Sequence, residues 1–462
     1  MKISVVSQKP QDKAITVLKL VEQRQESWIE VLPDGQRILA LGIGDKNQIN
    51  RRKLFILARQ VIALAKGQRI KSIAIPFDDL EFSNVQLSNE EKAEVLAINF
   101  EMANFEFVQY KTPPKEGWNF VEEIVLHSSQ DKAEIEKGIE KGMLIANAVN
   151  NTRILSNTPG GDMTPKILAE AARKAARETS AKVTVLEPKE MKELGMGGIT
   201  GVAKGSSEEP RFIILEYYGA GKNEQPIVLI GKGVTFDTGG INLKPREGTS
   251  DMHMDMSGGA AVMHSVVLAA KMGLQKNIVG LIPAAENMPS GSSYHPGDVL
   301  RTISGKTIEV LDTDAEGRIL LADALGYAKR YNPRLVIDVA TLTGAAMAAL
   351  GQRASAIFTT DQKLEQLFRE LGEETGDYVW PMPLWEEYAE EIKGTFGDWA
   401  NMGKTRYGGA ITAAVFLKQF TEGYPWVHID IAPRMTAIEG EYLAKGAAGA
   451  PVRLLIKLLQ RI

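Results

Sequence analysis

Two stretches of the chain place charged side chains directly after strongly apolar runs. Ile227-Val228-Leu229-Ile230 leads into Gly231-Lys232-Gly233-Val234-Thr235-Phe236-Asp237-Thr238-Gly239-Gly240, with Lys244 and Asp255 following. Ile308-Glu309-Val310-Leu311 leads into Asp312-Thr313-Asp314-Ala315-Glu316-Gly317-Arg318. Gathered in one place, Asp237, Asp255, Asp314 and Glu316 would repel one another so strongly that some would stay protonated. Two divalent cations carry the positive charge that cancels four carboxylates, so the set reads as a dinuclear site. Hard oxygen donors suit Zn²⁺, Mn²⁺, Mg²⁺ or Co²⁺, at the ~3.5–4 Å separation usual in two-metal hydrolases. Lys232 adjoins the same loop, and a lysine beside two cations gives up its proton readily and can then ligate.

Taken singly, each residue has a plainer reading. An Asp or Glu after a strand usually caps a helix or faces solvent. Asp312-Thr313-Asp314-Ala315-Glu316 before the helical run 319–329 matches helix N-terminal preferences. The spacing of the whole set favours the metal site.

Asp312-Thr313-Asp314-Ala315-Glu316-Gly317-Arg318-Ile319 resembles the octapeptide signature of the leucyl aminopeptidase family, the cytosolic two-metal aminopeptidases. The stretches 231–240, Glu286-Asn287-Met288-Pro289-Ser290-Gly291 and Ala340-Thr341-Leu342-Thr343-Gly344-Ala345 resemble further blocks of that family, in the same order. So do Asn157-Thr158-Pro159, Gly408-Gly409-Ala410-Ile411-Thr412 and His428-Ile429-Asp430-Ile431-Ala432. The resemblance covers most of the chain from 157 to 453, while the first part shares only size and α/β character.

That resemblance implies metal ligation by Lys232, Asp237, Asp255, Asp314 and Glu316, with Asp237 and Glu316 bridging two ions, Zn²⁺ or Mn²⁺. It implies that Lys244 is the catalytic lysine near the scissile carbonyl. Arg318 would hold a bicarbonate ion as general base, helped by backbone near Leu342. Met252, Thr341, Gly344, Ala432 and Met435 would line the pocket for the first side chain, although Pro433 and Arg434 stand where small residues are expected. The implied activity is removal of single residues from peptides with a free N-terminus, by a cytoplasmic homo-hexamer. One metal would bind the free amine, which explains exo action. Lys244 would stabilise the oxyanion, and the planar fork of Arg318 suits a planar anion. Two positions depart from the signature: Asp312 stands for Asn and Ile319 for Leu. The extra carboxylate of Asp312 adds negative charge near the metals.

Positioning such a set requires strands whose carboxyl ends converge. Apolar runs at 3–6, 38–41 and 72–75 alternate with helical patterns, one from about 52 to 66 stopped by Gly67. Pro113-Pro114 precedes a last strand near 123–127, giving a small α/β domain over 1–150. A helical pattern from about 131 to 150 connects it onward and ends before the turn-like Ser156-Asn157-Thr158-Pro159-Gly160-Gly161. Runs at 227–230, 278–282, 307–311, 335–339 and 427–431 read as buried strands, with helices between them and a closing helix at 452–462. The expectation is a catalytic domain over 151–462 with a largely parallel, helix-covered central sheet. Ligands in such sheets sit at the carboxyl ends of strands, where both charged stretches begin.

Composition narrows the function classes. A length of 462 residues exceeds one ordinary core and suggests two domains. Fifty-four basic residues balance 58 acidic ones for a net charge of −4, which gives no electrostatic reason to expect nucleic acid or an anionic membrane. Cysteine is absent, which excludes disulfides, thiolate nucleophiles and sulfur-ligated metals. The N-terminus is too polar after Val6 for a signal peptide, and no apolar run reaches the ~20 residues of a membrane helix.

Other signals are discounted. Gly219-Ala220-Gly221-Lys222 lacks the remaining positions of a phosphate-binding loop and reads as a turn. The histidines at 127, 253, 264, 295 and 428 have no zinc-protease spacing, and His253 reads as a helper or solvated group beside Asp255. Trp380 and Trp385 fit core packing or a subunit contact better than a substrate rim. Two other functions fit in part. One is a dinuclear hydrolase of phosphate esters or of amides lacking a free amine; the other is a non-catalytic or DNA-associated relative. Retention of all five ligand candidates with Lys244 and Arg318 stands against the latter.

Overall fold

The computed structural model describes residues 1–221, 223–421 and 423–462, so Lys222 of the discounted turn lies outside the described residues. The chain forms two compact units. One comprises Met1–Asn150 with Ala437–Lys445, and the other Asn151–Thr436 with Gly446–Ile462.

The first unit holds a six-stranded sheet built from β1 (Lys2–Val6), β2 (Thr16–Glu22), β3 (Ser27–Val31), β4 (Arg37–Gly44), β5 (Ser72–Pro76) and β6 (Glu123–His127). Its order is β1-β6-β5-β2-β4-β3, parallel throughout except for β3 at the edge. The helix Arg51–Gly67 begins where the Asn50 side chain accepts from the Lys53 amide, and the helix Asn89–Asn104 begins at a Ser88/Glu91 capping box. Both bury apolar faces in one core with the sheet. The long helix Lys132–Asn157 runs past the expected end at 150 and includes Ser156 and Asn157, so the turn starts only at Thr158.

Among the described residues, nine strands form the central sheet of the second unit: β7 (Lys182–Leu186), β8 (Arg211–Tyr218), β9 (Ile227–Gly231), β10 (Gly233–Asp237), β11 (Asn277–Asn287), β14 (Leu335–Ala340), β15 (Ser355–Phe358), β16 (Val379–Pro381) and β18 (Trp426–Asp430). Three more, β12 (Val299–Arg301), β13 (Thr307–Glu309) and β17 (Trp399–Ala400), make a separate small sheet. The expected strand at 307–311 therefore belongs to this small sheet, not the central one. The central order is β16-β15-β18-β14-β9-β11-β8-β7, with β10 also pairing with β11. Strands β18, β14, β9, β11 and β10 run parallel, and β15, β8 and β7 bring in antiparallel pairing at the two flanks. Every residue of β9, β11, β14 and β18 is buried, as parallel strands covered on both faces must be. Their shared direction puts Lys232, Asp237, Thr341 and the 431–435 loop at one end of the sheet.

Candidate active site

Five chain segments meet at that end. Lys232 follows β9, Asp237 closes β10, and Thr341 follows β14. Asp255 stands just before the buried helix Ser257–Lys271. Asp314 lies in the loop before the helix Gly317–Ala328, and Glu316 immediately precedes that helix. Asp237, Asp255 and Glu316 are buried and each offers a carboxylate oxygen within 4.8 Å of the others. Asp314 joins them through Lys244.

Two lysines face the four carboxylates. Lys232 Nζ lies 2.8 Å from Asp255 Oδ2, 2.8 Å from Glu316 Oε1, and donates to the Thr341 carbonyl at 3.1 Å. Lys244 Nζ lies 2.8 Å from Asp237 Oδ2 and pairs with Asp314. Burial opposes the charge on each lysine, but the surrounding carboxylates outweigh it and raise both above the ordinary lysine value. With only protein charges around it, Lys232 thus holds its proton firmly, and ligation by a neutral amine needs the added charge of cations. Burial, reinforced by the neighbouring carboxylates, pushes Asp255, Asp314 and Glu316 up despite the lysines. The buried oxygens Asp255 Oδ2, Asp314 Oδ1 and Glu316 Oε1 meet the lysines at ion-pair distance without forming an aligned hydrogen bond. Buried acceptors in that condition are the donor set a hard cation requires.

The backbone around the ligands is held by polar side chains. Asn287, paired with Asp237 across β10 and β11, donates from Nδ2 to Asp237 Oδ1 at 2.8 Å and to the Thr313 carbonyl at 2.9 Å. Thr313 Oγ1 donates to the Gly239 carbonyl at 2.6 Å and accepts from the Asn242 amide at 2.9 Å. Gly239 and Gly240 have φ of +88° and +67°, so the turn after Asp237 is one that side chains rarely adopt. Tyr294, fully buried, donates to the Thr313 carbonyl at 2.7 Å. Asp312, the departure from the signature, accepts the Asp314 amide at 2.8 Å and so closes the ligand turn.

A cavity of about 150 Å³ opens on the cluster, lined by all five candidate ligands and Lys244 together with Met252, Thr341, Leu342, Gly344, Ala432 and Met435. Every pocket residue expected from sequence is there. Thr343 and Met347 also line it, and no sequence pattern singled them out. Asp430 ties two of its walls together: Oδ1 accepts the amides of Leu342 and Ala432 at 3.1 Å each, and Oδ2 accepts the Thr343 hydroxyl at 2.7 Å. Arg434, which stands where a small residue is expected, is buried and reaches the Gly376 carbonyl at 3.4 Å.

Arg318 is buried but is not among the cavity-lining residues. Its Nη1 donates to the Asn401 carbonyl at 2.7 Å, and its buried Nε has no hydrogen-bond partner among the described residues. Burial lowers its pKa to about 10, which still leaves it charged near neutrality. His253 does not line the cavity either. His428 is buried against Asp338, with Nδ1 2.5 Å from Oδ1, and stacks on Phe358. Trp380 and Trp385 are 51% and 64% exposed, which corrects the core-packing expectation. Each keeps a flat partner, Arg369 over Trp380 and Tyr388 beside Trp385.

No helix among the described residues is long and apolar enough to cross a membrane. Residues 150–456 match the model of the cytosol aminopeptidase family, catalytic domain, and residues 26–114 match that family's N-terminal domain. A "Probable cytosol aminopeptidase" of Geobacter sp. (strain M21) is 40% identical over 430 residues, covering 92% of this chain and 86% of that protein. One of Roseiflexus castenholzii (strain DSM 13941 / HLO8) is 43% identical over 432 residues, covering 92% and 87%. Among solved structures, the bottromycin maturation enzyme BotP in complex with Mn aligns with a TM-score of 0.88 at 31% identity, covering 97% of this chain and 99% of that one. Matching the family's catalytic and N-terminal models over most of its length, the chain belongs to the cytosol aminopeptidase family and is a metal-dependent exopeptidase.

Proposed function

We propose that the chain removes the N-terminal residue of peptides with two divalent cations, Zn²⁺ or Mn²⁺, held by Lys232, Asp237, Asp255, Asp314 and Glu316. The observation that carries this reading is a charge imbalance. Four carboxylates in and around one buried pocket face two lysines, so the ionised set carries a net charge of −2. A single divalent ion would balance that sum with both lysines charged; a second becomes favourable once Lys232 gives up its proton and acts as a ligand.

When bound, the cations supply Lewis acidity, polarising the carbonyl oxygen and acidifying a water. The chain's own groups do the rest. Lys244, kept charged by Asp237 and Asp314, is the cation placed to face the developing oxyanion. Asp237 and Glu316 would help to hold both cations in this reading. Asn287 and the Gly239–Gly240 turn orient Asp237, while Lys232 and Thr341 hold the opposite side. Arg318 fits a planar anion such as bicarbonate, because its charged fork keeps a buried Nε without a hydrogen-bond partner among the described residues. A bicarbonate there would supply a general base. The Leu342 amide is already engaged by Asp430, so the anion assignment rests on Arg318. Met252, Met347, Met435 and Ala432 give the cavity an apolar, adaptable wall suited to an uncharged first side chain. Division of labour between an N-terminal domain over 1–150 and a catalytic domain over 151–462, assembly as a homo-hexamer and a cytoplasmic location complete the reading, and they rest on family membership.

The test is metal content. Purified protein loaded with Mn²⁺ should carry two ions per chain and cleave leucine p-nitroanilide, whereas Glu316→Ala should lose both metal and activity. Glu316→Ala with two ions and wild-type turnover would remove Glu316 from the centre.

A further inference from the structure

Asn401 lies outside every block that resembles the family's motifs, yet it is fully buried behind the ligand loop. It follows β17, which pairs in parallel with β13 through Ile308–Trp399 and Glu309–Ala400. Its amide continues that ladder by donating to the Glu309 carbonyl at 3.0 Å. One residue past the end of the strand, its side chain takes over the pairing of an irregular loop. Oδ1 accepts the amides of Leu311 at 2.7 Å and Asp312 at 3.3 Å, and Nδ2 donates to the carbonyls of Asp312 at 2.6 Å and Ala315 at 3.3 Å. An amide side chain has two donors and two acceptor sites, so this one is saturated by a single loop. The Asn401 backbone carbonyl accepts Arg318 Nη1 at 2.7 Å.

We propose that Asn401 is a positioning residue for the metal centre: its side chain fixes the 311–315 loop that presents Asp314 and Glu316, and its carbonyl fixes Arg318. A loop has no ladder of its own, and its buried amides and carbonyls need partners if it is to hold one shape. Asn401 supplies four of them at once. No other side chain of that size offers the same pattern, since Asp lacks the donors and Leu lacks both. Asn401 itself is not among the residues lining the cavity.

The proposal rests on reading the carboxylate cluster as a metal site, and the test separates the two. Hydrogen exchange over 311–318 is measured in chelator-treated protein, followed by Mn²⁺ affinity and the kcat and KM for leucine p-nitroanilide. Asn401→Ala is expected to speed exchange over 311–318, to weaken Mn²⁺ binding ~10–100-fold, as loss of outer-shell partners does, and to lower kcat more than KM. Asn401→Asp, which keeps the shape and the acceptor without the donors, should move all three in the same direction and serves if the alanine variant does not fold. The control is Asp398→Ala, which removes the anchor of the same segment on Thr307, at 2.7 Å to its amide and 2.9 Å to its hydroxyl, and leaves Asn401 in place. It should leave Mn²⁺ affinity unchanged. Equal losses in Asp398→Ala and Asn401→Ala, or unchanged exchange and affinity in Asn401→Ala, would overturn the proposal. Faster exchange in Asn401→Ala beside a wild type that binds no Mn²⁺ would sustain the clamp and sink the metal reading.

Discussion

A methyl group on Gly317 would stand 2.6 Å from Cε of Lys232 and 2.7 Å from its Nζ. The first residue of one helix thus leaves room for the lysine that follows β9. Lysine ends are usually free to move aside, but this one is buried and pinned by Asp255, Glu316 and the Thr341 carbonyl.

Gly317→Ala should therefore keep the fold, since alanine is the better helix former by ~1 kcal/mol. It should nevertheless push Lys232 off its partners and weaken Mn²⁺ binding by at least ~10-fold, as disturbed ligand positioning does. Isothermal titration beside thermal melting checks it. A variant that binds Mn²⁺ like the wild type would show that Lys232 has slack the packing does not suggest.

The carboxylate set was legible because each member follows an apolar strand or precedes a helix, so its place in the sheet could be read with its chemistry. The parallel strands β9, β11, β14 and β18 were legible for the same reason: strands buried on both faces read as unbroken apolar runs. What was hidden depends on pairing between distant segments. Asn401 holds a loop nearly ninety residues earlier, and nothing in its own neighbourhood marks it. The segment Ala437–Lys445 joins the first unit through contacts such as Arg59 with Glu441 at 3.1 Å, which no local pattern encodes. The run at 307–311 has strand character, but its shortness and its pairing with β12 and β17 place it in the small sheet.

Lys244→Ala should leave two metals per chain and cut kcat ~10²–10³-fold, the usual effect of removing one oxyanion-stabilising donor. Its removal also frees Asp237 and Asp314 from an ion pair, so Mn²⁺ affinity should hold or rise. Metal loss in this variant would exchange the roles assigned to Lys232 and Lys244.

Asp312 has two jobs that substitution can separate. Its Oδ1 accepts the Asp314 amide, a bond an asparagine oxygen can also make, while its charge adds negative potential near the ligands. Asp312→Asn should keep the turn and move the acid limb of the kcat/KM profile downward, because a proton is lost more easily in a less negative site. Asp312→Ala should in addition weaken Mn²⁺ binding by loosening the turn. Profiles of wild type and Asp312→Asn that superimpose at saturating metal would leave Asp312 with the turn alone.

The most direct test compares leucine p-nitroanilide with its N-acetylated form on the Mn²⁺-loaded protein. Acetylation leaves the scissile bond and the side chain intact and removes only the free amine that an exopeptidase must recognise. The expected result is steady release of p-nitroaniline from the first substrate, abolished by chelator and restored by Mn²⁺, with essentially none from the second. Cleavage of both at comparable rates would contradict an aminopeptidase and point to a general amidase built on the same carboxylate site.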